Sequence, residues 1–396
     1  MTPPRPHPFT RSRLAARLDW LVAMVWEMGW DEKPALEPEY LWKVGSKGFS
    51  EADEVSIRSD EDVADFRLRL DHLCRSLRDE ARLNALGHTM AYGQITSAIR
   101  KRHALGRLWR EKPELAETPI APPLIVLGQM RSGTTRVQRL FAADPQFSGT
   151  RFCNSQYPVP ESPDLRPFKA HAALAVAHRV NPWLETMHPI GATRTDEEIG
   201  WLAAALSPVA FEAQWRIPSF VRFSEAREAS PIYREFARIL RTDAATMGNA
   251  ARPRVLKCPQ FAEDMSALMA ACPEARIVRC LRDKNSTLAS SVSMVASQMA
   301  FQCRGLQFDE LEEEWARKHR LREQRMQSFR SNSEATTSAI AFADLNSDPI
   351  AALQRAYSEL GYDFTAQSRG AAGAELEIAR EDRHVAHRQQ VESFAT

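Results

Sequence analysis

The stretch PLIVLGQMRSGTTRVQRLF, residues 123–141, narrows the choice of fold more than any other part of the chain. Leu124 to Leu127 form a short continuous apolar run, the pattern of a parallel strand buried on both faces. Beyond the glycine-containing turn, Val137, Leu140 and Phe141 mark a helix. A turn between a buried strand and a helix aims successive backbone N–H groups at one spot, and the helix dipole adds partial positive charge there. Such a spot suits an anion whatever the side chains. Triphosphate-binding loops of the form G-x-x-x-x-G-K-[ST] add a lysine for the outer phosphates and a hydroxyl for magnesium. Here Thr134 stands in the lysine's place, and Arg131 sits three residues earlier.

Further strand candidates are RVLKC (254–258), ARIVRCL (275–281) and SAIAF (338–342), each followed by a helical segment. Asp348 and Pro349 suit the start of the last of these helices. Strands alternating with helices predict an α/β fold, a P-loop-like doubly wound parallel sheet. Residues 1 to about 120 read as helices instead: Leu14, Leu18, Leu21, Val22 and Val25 recur at helical spacing, as do Phe66, Leu68, Leu73, Leu77 and Leu83. The proline-rich ETPIAPP at 117–123 breaks that pattern. The expected organisation is therefore a helical N-terminal region, 1–120, and an α/β domain, 121–396, with a helical insertion around 160–250 carrying Trp183, Trp201 and Trp215. The charged run DELEEEWARKHRLREQR (309–325) reads as a solvated helix face, with Glu313 and Arg317, and Glu314 and Lys318, at i,i+4.

A net charge of +1 gives no support to bulk electrostatic binding of nucleic acid, so any anion site must be local. The six cysteines form no C-x-x-C pair and have no metal-ligand spacing with the ten histidines, so no metal site is expected and a reduced, cytoplasmic chain is the simplest account. The most apolar N-terminal segment, LAARLDWLVAMVWEMGW, contains Arg17, Asp19 and Glu27 and is too polar and too short to span a bilayer.

Arg131 replaces a point-charge lysine by a planar, permanently charged fork. That suits a 5′-phosphate joined to a transferable group less charged than a phosphoryl group, and a sulfuryl group fits. In RCLRDKNSTLASSVSMVAS, Arg282 falls at a strand end, where open α/β sheets bind ligands, and Ser290 lies inside the next helix. With Ser286, Ser293 and Ser297, Ser290 forms a small polar stripe that reads as helix packing or as a ligand contact.

These segments resemble the PAPS-dependent sulfotransferases (PAPS is 3′-phosphoadenosine 5′-phosphosulfate), in particular the bacterial branch whose loop reads R-S-G-T-T. GQMRSGTT is similar to the family's 5′-phosphosulfate loop, which implies that Arg131, Ser132, Gly133, Thr134 and Thr135 bind the donor. LRDKNSTLASS resembles the 3′-phosphate motif, which implies the same for Arg282 and Ser290, and VLKCPQF resembles the L-K-S-P segment and singles out Lys257. The resemblance covers most of residues 65–394. It implies metal-independent sulfuryl transfer to a hydroxyl or amine, with adenosine 3′,5′-bisphosphate as the nucleotide product.

In several R-S-G-T-T members a glutamate follows the loop's helix, whereas here no acid lies between Asp144 and Glu161. The next candidates for a general base are in MHPIGATRTDEEIGW: His188, Asp196, Glu197 and Glu198. The same residues also read as a helix start, with Thr195 as cap and the three acids in the first turn. Lys257 reads as a group stabilising the bridging oxygen or as a lysine at a strand end. His387 and Arg388 resemble a basic pair in a family tail that closes over the nucleotide; a solvated tail reads equally well. The acceptor, whether small molecule, lipid or carbohydrate, is written in no motif. The tryptophans at 180–220 and Trp20, Trp26 and Trp30 fit either an apolar acceptor or core packing. Two other readings remain open at this point: an ATP-dependent phosphotransferase, disfavoured by the missing lysine, and a nucleotide-binding protein without turnover.

Overall fold

The computed structural model describes residues 5–184 and 189–381. Five strands form one sheet in the order β2-β3-β1-β4-β5, and every neighbouring pair is parallel. They are β1 (Leu124–Leu127), β2 (Ser148–Gly149), β3 (Arg254–Lys257), β4 (Arg276–Leu281) and β5 (Thr337–Ala341). The four strands expected from apolar runs are present. The two-residue β2 was not expected, because a strand that short carries no periodicity to read.

Alternation along the strands splits their side chains between two cores. Ile125, Leu127, Leu256 and Ile277 pack on Tyr233, Phe236 and Leu240 of the helix Ser230–Thr246. Leu124, Val126, Val255 and Val278 pack on Val137, Leu140 and Phe141 of the loop helix Thr134–Ala142, and on Leu353 and Tyr357 further along the chain. Helices on both faces explain why β1 is apolar at every position. As its sequence suggests, the helix Pro349–Glu359 is capped by Asp348, whose carboxylate accepts the Ala351 N–H at 3.0 Å.

The N-terminal residues are helical. Phe66, Leu70, Leu73 and Leu77 from one helix and Ile95 and Ile99 from the next share a third core with Val292, Val295, Leu311 and Trp315. Trp201 and Trp215 are fully buried and serve packing, whereas Trp20 and Trp30 face outward with 61% and 70% of their surface exposed. Leu14 and Leu21 are exposed as well, so helical spacing alone marked more core positions than the helix Arg13–Glu27 uses.

The charged run departs from expectation. It lies on the helix Phe308–Asn332, but Lys318 and Arg322 are buried. The Lys318 ammonium pairs with Glu212 and Glu263 at 2.8 Å, and Arg322 pairs with Glu263 at 2.8 Å and Glu212 at 3.0 Å. The i,i+4 pattern hides this because the carboxylates come from segments about 55 to 110 residues away.

Candidate functional site

β1 stands between β3 and β4, so the chain leaves it toward one side of the sheet and returns on the other. This reversal is the topological switch point at which open α/β sheets leave a crevice beyond their strand ends. The loop 128–133 fills that position. Arg131 and Gly133 take positive φ, +69° and +92°, and a Cβ on Gly133 would lie 2.9 Å from the Phe342 ring. A Cβ on Gly128 would lie 2.7 Å from the Ser132 hydroxyl and 3.0 Å from the Cys280 carbonyl. Glycine at these two points lets the backbone turn tightly beside β4. Ser132 closes the turn from within: its N–H and its hydroxyl both donate to the Gln129 carbonyl, at 3.1 and 2.6 Å. Its hydroxyl therefore faces the loop itself. The first turn of the loop helix leaves the N–H groups of Thr134 and Thr135 without intrahelical acceptors at the loop end of the helix.

The two motifs separated by about 150 residues meet here. Arg282, one residue past β4, donates from Nη1 to the Arg131 carbonyl at 2.8 Å, and the Arg131 Nε donates to the Ser290 hydroxyl at 3.0 Å. Ser291 adds a bond from its hydroxyl to the Met130 carbonyl at 3.3 Å. The Arg282 guanidinium lies 4.1 Å from the centre of the Phe342 ring, which packs on Gly133. Burial, with the nearby Arg282 charge adding to it, lowers Arg131 to about 10, still a cation at neutral pH. The serine stripe divides: Ser290 belongs to this cluster, whereas Ser297 accepts a bond from Arg5 and serves packing.

Lys257, the last residue of β3, approaches the loop from the other side. Its ammonium lies 3.2 Å from the Thr135 hydroxyl and forms an ion pair with Glu197. The acidic segment does not start a helix at Thr195, as its sequence suggested. The helix is Ile199–Ala203, with Glu198 at its cap position, while Thr195 bridges to Arg151 as extended chain. The three acids consequently diverge. Asp196 faces Arg139 of the loop helix at 3.7 Å, Glu197 turns to Lys257, and Glu198 is fully buried with its Oε2 accepting the Lys257 backbone N–H at 2.8 Å. Tertiary partners override the capping preference because the segment is pinned by the Asp196 N–H to the Thr150 carbonyl and by Gln138 to the Asp196 carbonyl. His188, His387 and Arg388 lie outside the described residues.

Residues 122–366 match the model of the sulfotransferase family. The chain belongs to this family. Among solved structures it is similar to the sulfotransferase STF1 of Mycobacterium tuberculosis H37Rv, with 23% identity over 92% of this chain and 100% of that one and a TM-score of 0.77. It is also similar to the sulfotransferase STF9 of Mycobacterium avium, with 18% identity over 89% and 91% of the two chains and a TM-score of 0.78. No curated protein matches the sequence. Among the described residues of this sulfotransferase, no helix is long and apolar enough to cross a membrane.

Two features of the sulfotransferase site were not read from its sequence. Phe342 begins the helix after β5, and only its place at a strand end hinted at a role. The other is the protonation of Glu198: burial raises it to about 8, against the opposing pull of the Lys257 N–H, Thr150 and Arg254. In the unfolded chain the same carboxyl ionises near 4.5. The folded protein thus retains a proton that the unfolded chain gives up. This contribution to stability is fully present below pH 4.5 and is lost as pH rises toward about 8, at up to about 1.4 kcal/mol per pH unit. Melting curves of Glu198→Gln, which cannot ionise, are expected to lack this decline and to lie above wild type at pH 8. Parallel wild-type and variant curves across that window would show that Glu198 is already ionised in the fold.

Proposed function

We propose that this sulfotransferase moves a sulfuryl group from PAPS to a hydroxyl or amine of a small-molecule, lipid or carbohydrate acceptor. The observation that carries the reading is the interlock of Arg131 with Arg282 and Ser290 at the switch point, with Lys257 and Glu197 on the opposite side of the same loop. Two cationic sites thus flank one phosphate-type loop, matching a donor with phosphates at both ends of its ribose. PAPS supplies an activated sulfuryl group on a phosphate leaving group.

In this reading Arg131, with the N–H groups of Thr134 and Thr135, binds the 5′-phosphate and stabilises the charge that grows on it as the sulfur–oxygen bond breaks. Arg282 and Ser290 hold the 3′-phosphate. Lys257, oriented by Thr135 and Glu197, donates to the bridging oxygen, and Glu197 takes the acceptor's proton as the new sulfur–oxygen or sulfur–nitrogen bond forms. The six cysteines, all unpaired and buried, support a reducing, cytoplasmic setting.

Calorimetry without metal tests the donor. Adenosine 3′,5′-bisphosphate is expected to bind well, and ATP with magnesium weakly. The reverse preference would overturn the reading in favour of phosphoryl transfer. Labelled PAPS offered with phenolic, lipid, carbohydrate and peptide acceptors then identifies the substrate class.

A further inference from the structure

Glu197 and Glu198 are neighbours in the chain, and both hold Lys257, one through its ammonium and the other through its backbone N–H. Glu198 itself is fully buried and cannot touch an acceptor. Its surroundings are rigid. The Ser155 hydroxyl donates to the Glu197 carbonyl at 2.7 Å and accepts the Gly200 N–H at 3.1 Å, and a Cβ on Gly200 would lie 2.0 Å from the Ser155 carbonyl. On the other side Gln138 and Arg139, from the loop helix, bond the carbonyls of Asp196 and Thr195 at 3.0 and 3.1 Å. The segment therefore spans from the loop helix to the end of β3, and Glu198 is its tie to the strand.

We propose that Glu198 is a positioning residue, fixing the end of β3 through the Lys257 N–H so that Lys257 and Glu197 stay opposed beside the loop. The inference rests on the sulfotransfer reading for what Lys257 and Glu197 do, but the tie itself is independent of that reading. The groups facing Glu198 explain why it holds a proton. Burial dominates, and the Lys257 N–H, Thr150 and Arg254 offset it only in part. Cys258, the next residue after Lys257, is itself buried near both glutamates. The tie holds in either protonation state, because both forms of the carboxyl offer the Lys257 N–H an acceptor oxygen.

The test uses the full chain with Glu198→Gln, which keeps an acceptor oxygen for the Lys257 N–H, and Glu198→Ala, which removes the tie. With an identified acceptor, Glu198→Ala is expected to lower kcat by roughly 10- to 100-fold, the effect of displacing reacting groups by about an ångström. Its affinity for adenosine 3′,5′-bisphosphate, by calorimetry, should stay near wild type. Glu198→Gln should restore most of that kcat at pH 7. A readout free of turnover is the Lys257 backbone amide. Its 15N shift should titrate between pH 6 and pH 9 in wild type and not in Glu198→Gln. If Glu198→Ala does not fold, the amide titration and the kcat of Glu198→Gln decide the matter. An amide that does not titrate in wild type, or a Glu198→Gln kcat about 10-fold or more below wild type, overturns the proposal. Nucleotide binding without sulfuryl transfer by wild type would instead sink the enzymatic reading and leave the amide result standing.

Discussion

Glu197→Gln is expected to reduce turnover on an identified acceptor by about 10²–10⁴-fold while leaving nucleotide affinity essentially intact. Of the three acids in the segment 196–198, only Glu197 combines partial exposure with a place beside Lys257 and the loop. Asp196 faces Arg139, and Glu198 lies wholly beneath the surface. Glutamine keeps the shape and an acceptor oxygen for the Lys257 ammonium, so the substitution removes the basic carboxylate with little change in packing. A rate loss with unaltered calorimetric binding of adenosine 3′,5′-bisphosphate would separate a base from a residue that merely orders the loop. Near-normal turnover would place the base elsewhere, with His188 the remaining candidate from the sequence.

Arg282→Ala carries the second large effect, on binding. Loss of a charge-assisted contact to the 3′-phosphate should cost about 2–4 kcal/mol, a weakening of roughly 30- to 1000-fold for adenosine 3′,5′-bisphosphate. The fold adds a refinement, because Arg282 also donates to the Arg131 carbonyl and packs over Phe342. Adenosine 5′-phosphosulfate, which has no 3′-phosphate, should therefore lose a little affinity too, about 1 kcal/mol for that one bond. The ratio of the two losses is the measurement that matters. Equal weakening of both nucleotides would show that Arg282 shapes the loop and does not meet the second phosphate.

Most of the sheet and half of the site were legible in advance, for identifiable reasons. β1, β3, β4 and β5 are buried on one or both faces and so display apolar runs. The loop is a local motif: Ser132 closes the turn on the Gln129 carbonyl three residues back, and Arg131 and Gly133 take the positive φ that shapes it. Arg282 was legible because it falls directly after β4, at the end where such sheets bind ligands. Less legible were the partners of charged groups. The fates of Glu197 and Glu198 differ completely although their sequence context is almost the same, and Lys318 and Arg322 looked like surface charges.

The sequence by itself determined the strand-loop-helix unit, the parallel α/β architecture and the two motifs proposed to bind anions, because each is encoded by short-range periodicity, glycine placement or a position at a strand end. Only the tertiary structure decided what those motifs do to one another. β4 lies beside β1, which brings Arg282 and Ser290 to Arg131. β3 lies on its other side, which delivers Lys257 to Thr135 and lets Glu197 and Glu198 take hold of it from two directions. The physical reason is that a strand's period and a glycine's φ are properties of a few adjacent residues. The environment of a charge is set by whatever the chain folds against it, here from 59 to 159 residues away.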